Sequence, residues 1–455
     1  MNLLKGQKFL KQKEFGKALE IFKKIEKKNI KDKRIFFYLG LVYFELNKYE
    51  KSIDYYNKYL KEQPNSSGAL YNLALVKQVV GDLQNAQEIY FKLLSINRLN
   101  IRAYYGLYML DSNFLSDEMF QDLLQIRNNN KFSLYDEGLI NFLLSKKEKK
   151  NKKYKKEIEY LNDYHLKIFN SNYSYNTTSQ FYYSKIINKY FDKIQFDKID
   201  KKTFNQGDFE PIFIIGLPRS GSTLIESILT STVEKIGTAG ESHVVNMSIL
   251  DQIGPIIFSN NFNKDEFNFE INYEKLKKNI LTKYNKLDRI NNNLIFVDKS
   301  LENFFNIEII KKVFPNAKFL HTYRNILDSV ISIYQSMLPD LSWAHSIDNI
   351  LSYIDDYLRV MDTFRKKYKD CIMDIELENF TKQSEDLGKE IFDFCKLTWD
   401  QNTLNFYKRK NLYSKTLSFK QIRSKISKYD EKRYKPYFYL LDKYKDKYIW
   451  LKNSN

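Results

Sequence analysis

Arg219 is a residue whose type and sequence position could allow it to bind the anionic group of a substrate. It lies in the stretch 216–223, which reads GLPRSGST, between Pro218 and Ser220. A guanidinium carries a fixed positive charge and a forked set of donors, and this geometry suits phosphate and sulfate groups. The two glycines of the stretch allow backbone N–H groups to approach such a group closely. The stretch therefore predicts an anion-binding loop.

The residues on either side of this loop indicate how the fold would position it. Residues 212–215 are a short apolar run, which predicts a strand buried on both faces. Residues 223–229 carry apolar side chains at helical spacing. A strand, a glycine-bearing turn and a helix in this order aim backbone N–H groups at one point, and the helix dipole favours negative charge there.

The loop differs from the Walker A loop of nucleoside triphosphatases. Gly216 and Gly221 have the spacing of that motif, but Ser222 stands where its lysine would be, and the cation comes earlier, at Arg219. The loop is thus predicted to hold an anion without the usual parts for splitting a nucleoside triphosphate with a metal. A glycine turn that binds no ligand is the alternative.

The stretch resembles the phosphosulfate loop of sulfotransferases that use PAPS (3′-phosphoadenosine 5′-phosphosulfate), whose form is close to G-x-P-R-S-G-[ST]-T. The resemblance implies an α/β fold, transfer of a sulfuryl group, and PAPS as the donor, with no metal. It also implies that Arg219 acts in catalysis as well as in binding. The matching residues, implied to hold the phosphosulfate, are Gly216, Pro218, Arg219, Ser220, Gly221, Ser222 and Thr223.

Glu241 is the candidate general base. It follows a pair of glycines in the stretch 237–243, GTAGESH, close in sequence to the loop's helix, where a carboxylate could accept a proton from an attacking hydroxyl. Sulfotransferases of the tyrosylprotein and tetratricopeptide-linked types have a similar Gly-Glu pair, whose Glu is the proposed base. His243, two residues later, is the rival base, and a glutamate that caps the next helix is the structural alternative.

Lys299 follows a second predicted strand, residues 294–298, LIFVD. Because ligands of open α/β sheets bind beyond the carboxyl ends of strands, this lysine could reach the same anion. The segment resembles the family pattern D-K-x-P-x-N, with Asn303 matching and Leu301 in place of the proline. The resemblance implies that Lys299 neutralises charge on the leaving phosphosulfate, a catalytic role. A surface lysine after a strand is the alternative.

Arg324 follows a third predicted strand, residues 319–323, and Ser332 lies in the helix after it. An arginine and a serine at this spacing can hold one phosphate between them. The segment resembles the family's 3′-phosphate motif, R-[DN]-P-x-D-x-x-x-S, although Ile326 replaces the proline. The two loops together would bind one nucleotide at both of its ends. The matching residues are Arg324, Asn325, Asp328 and Ser332.

Near the C-terminus, the segment 418–425 resembles the part of these enzymes that closes over the nucleotide. Arg423, Ser424 and Lys425 are its candidate donor-binding residues. Leu377 stands where the family usually has a tyrosine, so an adenine contact from that position is not expected.

The first third of the chain has an internal period of about 34 residues, which is typical of helical repeats. Small residues recur where two helices would pack closely, and aromatic residues recur beside them. The pattern resembles the tetratricopeptide repeat (TPR), which implies a solenoid whose groove could take a peptide or protein. A plain helical bundle is the alternative. The residues that fit one frame are Leu39, Gly40, Tyr43, Ser52, Tyr56, Tyr59 and Pro64.

The 455 residues carry a net charge of +18, which favours acidic partners such as nucleotides, acidic peptides or anionic glycans. The lysine-rich run 146–156 is predicted to be a solvated helix face or a mobile loop, so nucleic acid is not expected as a partner. Two cysteines allow neither a disulfide framework nor a zinc site. We see no signal peptide and no membrane span, which predicts a cytoplasmic protein.

The sequence thus predicts TPR repeats at 1–115, a helical linker at 116–205 and a catalytic domain at 206–455. The fold class is an all-α TPR solenoid followed by an α/β, P-loop-like parallel sheet flanked by helices. The predicted activity is PAPS-dependent sulfuryl transfer to a hydroxyl of a protein or peptide tyrosine, a glycan or another acceptor. Two alternatives stay open: a P-loop phosphotransferase or kinase, and an inactive TPR binding scaffold.

Overall fold

The computed structural model describes residues 3–12, 14–28, 32–194, 209–232, 236–257, 271–287, 290, 295–409, 413 and 419–453. The chain divides into two compact units. One comprises Met1–Lys167 and Lys410–Phe419, and the other comprises Ile168–Arg409 and Lys420–Asn455. The domain boundary predicted between residues 205 and 206 lies outside the described residues, as do Leu294 and Ser418.

The first unit is helical, and most of its consecutive helices pack against one another. A short 3₁₀ turn, Ser112–Phe114, precedes the helix Asp117–Asn129, and the helix Tyr154–Ser171 begins in this unit and ends in the other. The helices are α1 (Leu3–Lys11), α2 (Phe15–Lys27), α3 (Arg34–Glu45), α4 (Tyr49–Glu62), α5 (Ser67–Val80), α6 (Leu83–Ile96), α7 (Ile101–Leu110), α8 (Asp117–Asn129), α9 (Leu134–Lys150) and α10 (Tyr154–Ser171).

Glycines of this unit lie against aromatic rings where helices approach closely. A Cβ on Gly40 would lie 2.7 Å from Cε1 of Tyr56, and the Ser52 hydroxyl donates to the Gly40 carbonyl at 2.8 Å. A Cβ on Gly106 would lie 2.4 Å from Cζ of Tyr90. Since α3 and α4, and likewise α6 and α7, pair through these contacts, the predicted helical solenoid is confirmed.

The lysine-rich run forms the end of α9, a turn and the start of α10. Lys147 within it is buried; its Nζ lies 2.8 Å from Oδ1 of Asp117 and donates to the Leu115 carbonyl at 3.1 Å. The prediction of a solvated face is therefore wrong at this residue, whose charge serves the contact between α8 and α9.

The second unit contains a parallel sheet of five strands in the order β2-β3-β1-β4-β5. Strand β1 lies at its centre, and every residue of β1 after Glu210 is buried. This confirms the predicted parallel sheet flanked by helices. The strands are β1 (Glu210–Gly216), β2 (Gly237–Gly240), β3 (Ile295–Asp298), β4 (Lys318–Tyr323) and β5 (Ile372–Glu376).

The sequence did not predict strand β2, because two of its four residues are glycine. It forms because β3 offers a parallel partner along the residues Gly237–Gly240, so tertiary pairing decides its conformation instead of local propensity. Glu241, which directly follows this strand, therefore lies at the carboxyl end of the sheet beside Lys299.

The helices of the second unit are α11 (Tyr173–Phe181), α12 (Ile187–Ile194), α13 (Ser222–Leu229), α14 (Val244–Ile257), α15 (Tyr273–Tyr284), α16 (Ile307–Val313), α17 (Ile326–Tyr334), α18 (Ile347–Lys367), α19 (Leu377–Lys382), α20 (Ser384–Cys395) and α21 (Ile449–Lys452). A π-helical turn, Tyr182–Ile186, joins α11 to α12. Single 3₁₀ segments are Leu301–Asn306, Ser342–His345, Gln401–Lys408, Gln421–Arg423 and Lys435–Tyr444. Within the described part of the chain, no helix combines the length and apolar character needed to cross a membrane.

Candidate functional site

The loop after β1 is fixed to the end of β4. Gly216 has φ +138°, and a Cβ there would lie 2.2 Å from the carbonyl oxygen of Thr322, so only glycine fits. The buried Ser220 hydroxyl donates to the Leu217 carbonyl at 2.7 Å and shares a 2.8 Å hydrogen bond with the Thr322 hydroxyl. The loop is therefore held beside the residues that follow β4.

The helix after the loop begins without a side-chain cap. Gly221 precedes α13 with φ +90°, and a Cβ at this glycine would lie 2.6 Å from Cδ1 of Leu377. Leu377 thus packs on the loop, at the position where the resembled family has a tyrosine. Gly221 has no side chain that could accept from the N–H groups of the first helical turn. These N–H groups are therefore suited to bind an anion.

Arg219 has a left-handed backbone, with φ +69°, which is unusual for a residue other than glycine. Such a conformation costs about 1 to 3 kcal/mol and persists only where the surroundings enforce it. Burial lowers the pKa of its guanidinium, and the positive charges of Arg324 and Arg433 lower that pKa further. Three arginines from three parts of the sequence therefore lie within electrostatic reach of one another, an arrangement that an anion would stabilise.

Arg324 is buried, with 7% of its surface exposed, at the end of β4. Its Nη2 donates to the Asp328 carbonyl at 2.9 Å, but its Nε has no hydrogen-bond partner among the described residues. A buried donor left in this way costs about 1 to 3 kcal/mol, which a bound acceptor would recover. An anion with two or more oxygens therefore fits this side chain.

Tyrosines from the C-terminal segment cover Arg324. Its guanidinium carbon lies 5.1 Å from the ring centre of Tyr434 and 5.8 Å from that of Tyr429. The Tyr434 hydroxyl donates to the Ser332 hydroxyl at 3.2 Å, which places Ser332 in the same cluster. The structure thus brings together the predicted pair Arg324 and Ser332 and adds two aromatic rings to it.

The C-terminal candidates lie in different surroundings from one another. Arg423 is half-buried in a 3₁₀ turn that contacts α13, and burial lowers its pKa. Ser424 is exposed and donates to the Gln421 carbonyl at 3.1 Å, and Lys425 is exposed as well. Their role in donor binding stays a prediction.

Lys299 and Glu241 form an ion pair beside the helix of the loop. Lys299 is almost fully buried, with 1% exposure, and its Nζ lies 2.7 Å from Oε1 of Glu241. The same Nζ lies 3.4 Å from Oε2 of Glu226 and 3.5 Å from the Thr223 hydroxyl. Burial lowers the pKa of Lys299, but the charges of Glu226 and then Glu241 outweigh it and raise that pKa above its usual value.

The side chain of Glu241 is both accessible to an incoming group and negatively charged. Its side chain is 50% exposed, so an incoming group could reach it. Burial of part of the carboxyl raises its pKa, but Lys299, and to a smaller extent His243, hold that pKa below its usual value. The carboxyl is therefore ionised at neutral pH and able to accept a proton.

The buried carboxylate of Asp298 fixes the segment that carries Glu241. It accepts from the Ser242 hydroxyl at 2.7 Å and from the Tyr284 hydroxyl at 2.8 Å. The backbone N–H of Lys299 donates to the Gly240 carbonyl at 2.9 Å. Since these bonds hold both neighbours of Glu241, the position of the ion pair is set by the sheet edge.

His243, the rival base, is paired with a carboxylate of its own. Its Nδ1 lies 2.5 Å from Oε1 of Glu302, and the charge of Glu302 raises the pKa of His243 to about 9. A histidine protonated at neutral pH cannot accept a proton. Of the two candidates, the geometry therefore favours Glu241 as the base.

This pair predicts a pH-dependent contribution to stability. Because the pKa of folded His243 rises from 6.5 to about 9, the stabilisation is complete below pH 6.5 and is lost as the pH rises through about 9. The unfolding midpoint of Glu302→Gln should thus fall below that of the wild type at pH 6, and the gap should narrow by pH 9.5. His243→Gln is the control, and a gap that stays constant with pH would contradict the pairing.

Four residues of the site were missed in the sequence. Glu226 lies one turn after Thr223 on α13, a spacing that places both on one helix face but does not indicate its contact with Lys299. The other three come from the segment 429–434, whose mixture of tyrosine and arginine was the available signal; they are Tyr429, Arg433 and Tyr434. Among the described residues, no group of three or more His, Cys, Asp or Glu side chains could hold a metal ion.

Comparison with protein families agrees with this geometry. Residues 211–401 match the model of a sulfotransferase family, and residues 34–66 match the tetratricopeptide repeat. The chain carries a sulfotransferase domain and a TPR. The TPR-linked sulfotransferase resemblance seen in the sequence is thereby confirmed, and the sulfotransferase match includes the loop, the Lys299–Glu241 pair and Arg324.

A curated relative and several solved structures are similar to this chain. An uncharacterized protein of Aquifex aeolicus (strain VF5) is 26% identical over 408 residues, which cover 87% of this chain and 52% of the relative. The chain thus spans about half the length of that relative. The sulfotransferase domain of the Synechococcus PCC 7002 olefin synthase is 17% identical, with a TM-score of 0.31 over 51% of this chain and 88% of that one. A sulfotransferase from Mycobacterium avium is 11% identical, with a TM-score of 0.30 over 74% and 97% of the two chains.

Proposed function

We propose that this chain is a PAPS-dependent sulfotransferase that transfers a sulfuryl group to an acceptor hydroxyl. The observation that carries the proposal is the buried Arg324, whose Nε lacks a partner among the described residues, within reach of the loop that carries Arg219. PAPS has anionic groups at both of its ends. A nucleotide of this kind would use Arg324 and Ser332 for its 3′-phosphate and residues 218–223 for its phosphosulfate.

The residues of the chain divide the chemistry between them. When bound, PAPS supplies the sulfuryl group and leaves as adenosine 3′,5′-bisphosphate (PAP). Glu241 accepts the proton of the acceptor hydroxyl as its oxygen bonds to sulfur. Lys299 and Arg219 stabilise the negative charge that develops on the bridging oxygen as the bond from sulfur to that oxygen breaks. The N–H groups of the first turn of α13 add to this stabilisation.

The ion pair couples donor binding to the strength of the base. Without a ligand, Lys299 lowers the pKa of Glu241 and so weakens it as a base. A donor that takes one of the three N–H bonds of Lys299 would loosen the contact with Glu241. The carboxylate would then become more basic when the donor is present, which favours proton transfer from the acceptor.

The acceptor, the partner and the compartment are parts of the same proposal. We favour a hydroxyl of a peptide or protein, with glycans as the next class, because a TPR solenoid offers a concave surface of the kind that takes peptides. The TPR unit would then bind the substrate or another protein. A reducing compartment, the cytoplasm, fits the free thiols of Cys371 and Cys395.

Nucleotide affinity tests the proposal. Calorimetry without magnesium should show that the wild type binds PAP more tightly than ADP, because ADP lacks the 3′-phosphate. Arg324→Ala should weaken PAP binding by about 10- to 100-fold, since hydrogen bonds to charged groups contribute about 1.5 to 3 kcal/mol. Its affinity for ADP should change much less.

Arg359→Ala is the matched control for this measurement. Arg359 lies on α18, where it pairs with Asp192 at 2.9 Å, and it belongs to the same unit as Arg324. This variant should retain the preference for PAP. A wild type without that preference would contradict the proposal and favour the phosphotransferase or scaffold alternatives.

A further inference from the structure

Glu226 has no role in the mechanism above, although it faces the same ammonium as the base. Its side chain is 14% exposed, and its Oε2 lies 3.4 Å from Nζ of Lys299. Its Oε1 accepts from the Thr238 hydroxyl at 2.7 Å. One buried ammonium therefore lies between two carboxylates, Glu226 from α13 and Glu241 from the end of β2.

The two carboxylates differ in what happens to them during the proposed reaction. Glu241 becomes neutral when it accepts a proton, so its ion pair with Lys299 is lost at the moment when Lys299 has to stabilise the leaving group. A buried charge that loses its partner is strongly destabilised. Glu226 contacts Lys299 as well but takes no part in this proton transfer.

We propose that Glu226 is a positioning residue that keeps Lys299 charged and in place while Glu241 accepts the proton of the acceptor. The inference rests on the proposed sulfotransferase function. In this arrangement, Lys299 points one N–H bond at Glu226 through the whole reaction and is free to exchange Glu241 for the bridging oxygen of the donor.

Thr238 links Glu226 to the backbone next to the proposed base, Glu241. The Thr238 hydroxyl donates to Glu226 and accepts from the backbone N–H of Gly240 at 2.9 Å. Gly240 directly precedes Glu241, and its carbonyl accepts from Lys299. A chain of hydrogen bonds therefore runs from Glu226 to the backbone beside Glu241. Because Glu226 could act through these hydrogen bonds or through its charge, one variant is needed to test each.

The charged groups around Lys299, Glu226 and Glu241 determine how the ionisation of this cluster depends on pH. Glu226 and Glu241 face Lys299, whereas Lys299 and His243 face Glu241. His243 in turn is faced by Glu302, Glu241 and Asp298. Removal of the negative charge of Glu226 should therefore lower the pKa of Lys299, since the ammonium loses the first of the two charges that support it.

The test compares Glu226→Gln with Thr238→Val, which removes the hydroxyl and leaves the carboxylate. In Glu226→Gln, the basic limb of the pH profile of kcat/KM should move to lower pH by about 1 to 3 units, the effect of an opposite charge at this distance. In Thr238→Val, the limb should move much less. A purely structural role of Glu226 would lower the rate without moving the limb.

A second readout needs neither donor nor acceptor. Protein labelled with carbon-13 at the lysine Cε allows NMR titration of Lys299, whose signal is assigned by its absence in Lys299→Met. The Lys299 signal should titrate at lower pH in Glu226→Gln than in the wild type. Glu302→Gln, which removes a neighbouring carboxylate that contacts His243, is the matched control and should leave the signal in place.

The possible results separate the two proposals. A lowered basic limb together with a lowered Lys299 titration supports the role of Glu226. An unchanged Lys299 titration in Glu226→Gln would overturn that role alone, whatever the rate of the variant. A wild type that transfers nothing from PAPS and shows no preference for PAP would overturn the proposed function and this inference with it.

Discussion

Glu241→Gln is expected to slow sulfuryl transfer by about 10²- to 10⁴-fold, the range typical for loss of a general base. Glutamine has nearly the same shape as glutamate but cannot take up the proton. Its side-chain oxygen can still accept the bond from Lys299, which in the wild type spans 2.7 Å. The affinity for PAP should therefore stay close to that of the wild type, and single-turnover kinetics with calorimetry would measure both quantities.

His243→Gln is the matched comparison, because this residue is the rival base two positions away. Since its pKa of about 9 keeps the imidazole protonated at neutral pH, its loss should leave the transfer rate of the same order as in the wild type. If His243→Gln were the slower of the two variants, the assignment of the base to Glu241 would be wrong.

Lys299→Met is expected to lower kcat by about 10²- to 10³-fold, as for the loss of one group that stabilises transition-state charge. Methionine retains most of the aliphatic stem without the charge. The change also leaves the largely buried Glu226 without its cation, and breaking a buried ion pair costs about 3 to 5 kcal/mol. Thermal unfolding should therefore show a lower midpoint alongside the slower rate.

A double variant separates these two effects. Lys299→Met combined with Glu226→Gln removes one negative charge and should recover part of the stability, but it should not recover the rate. Lys312→Met is the control, because Lys312 is also buried and its Nζ donates to the Tyr273 hydroxyl at 3.1 Å, away from the loop. Recovery of the rate in the double variant would show that Lys299 acts only through the fold.

The core of the site could be predicted because its parts are local in sequence. The loop and β1 are adjacent, and Arg324 directly follows β4, so a short motif is enough to place each of them. Departures from the family pattern also have local explanations. Ile326 replaces a proline at the start of α17, and the helix is instead capped by Asn325, whose Oδ1 accepts from the N–H groups of Leu327 at 3.0 Å and Asp328 at 3.2 Å.

The residues that escaped prediction depend on contacts over long stretches of sequence. Tyr434 reaches Ser332 across 102 positions, and Tyr429 contacts Asp328 across 101. Neither follows from periodicity, because nothing in the segment 429–434 specifies which strand end it will cover. Glu226 was missed for another reason: its role arises from the position of Lys299, which depends on the pairing of β1 with β3.

The structural argument for Glu241 over His243 as the proposed base likewise depends on the folded chain. In the sequence, the family resemblance favours Glu241, and His243 is the rival base two positions later. The fold gives each a partner of opposite charge: Lys299, whose Nζ is 2.7 Å from Glu241, and Glu302, whose Oε1 is 2.5 Å from His243. These partners lower the pKa of one residue and raise that of the other, so the carboxylate is left as the group able to accept a proton.

A comparison of two labelled donors tests the proposed sulfuryl transfer most directly. The wild type would be incubated with PAPS labelled in its sulfuryl group, and separately with ATP labelled in its terminal phosphate and supplied with magnesium. A tyrosine peptide, a glycan and a small phenol would serve as acceptors. Label is expected to pass to an acceptor from PAPS and not from ATP, and Glu241→Gln is expected to slow this transfer strongly. Transfer from ATP, or transfer from PAPS that Glu241→Gln leaves unchanged, would contradict the proposal.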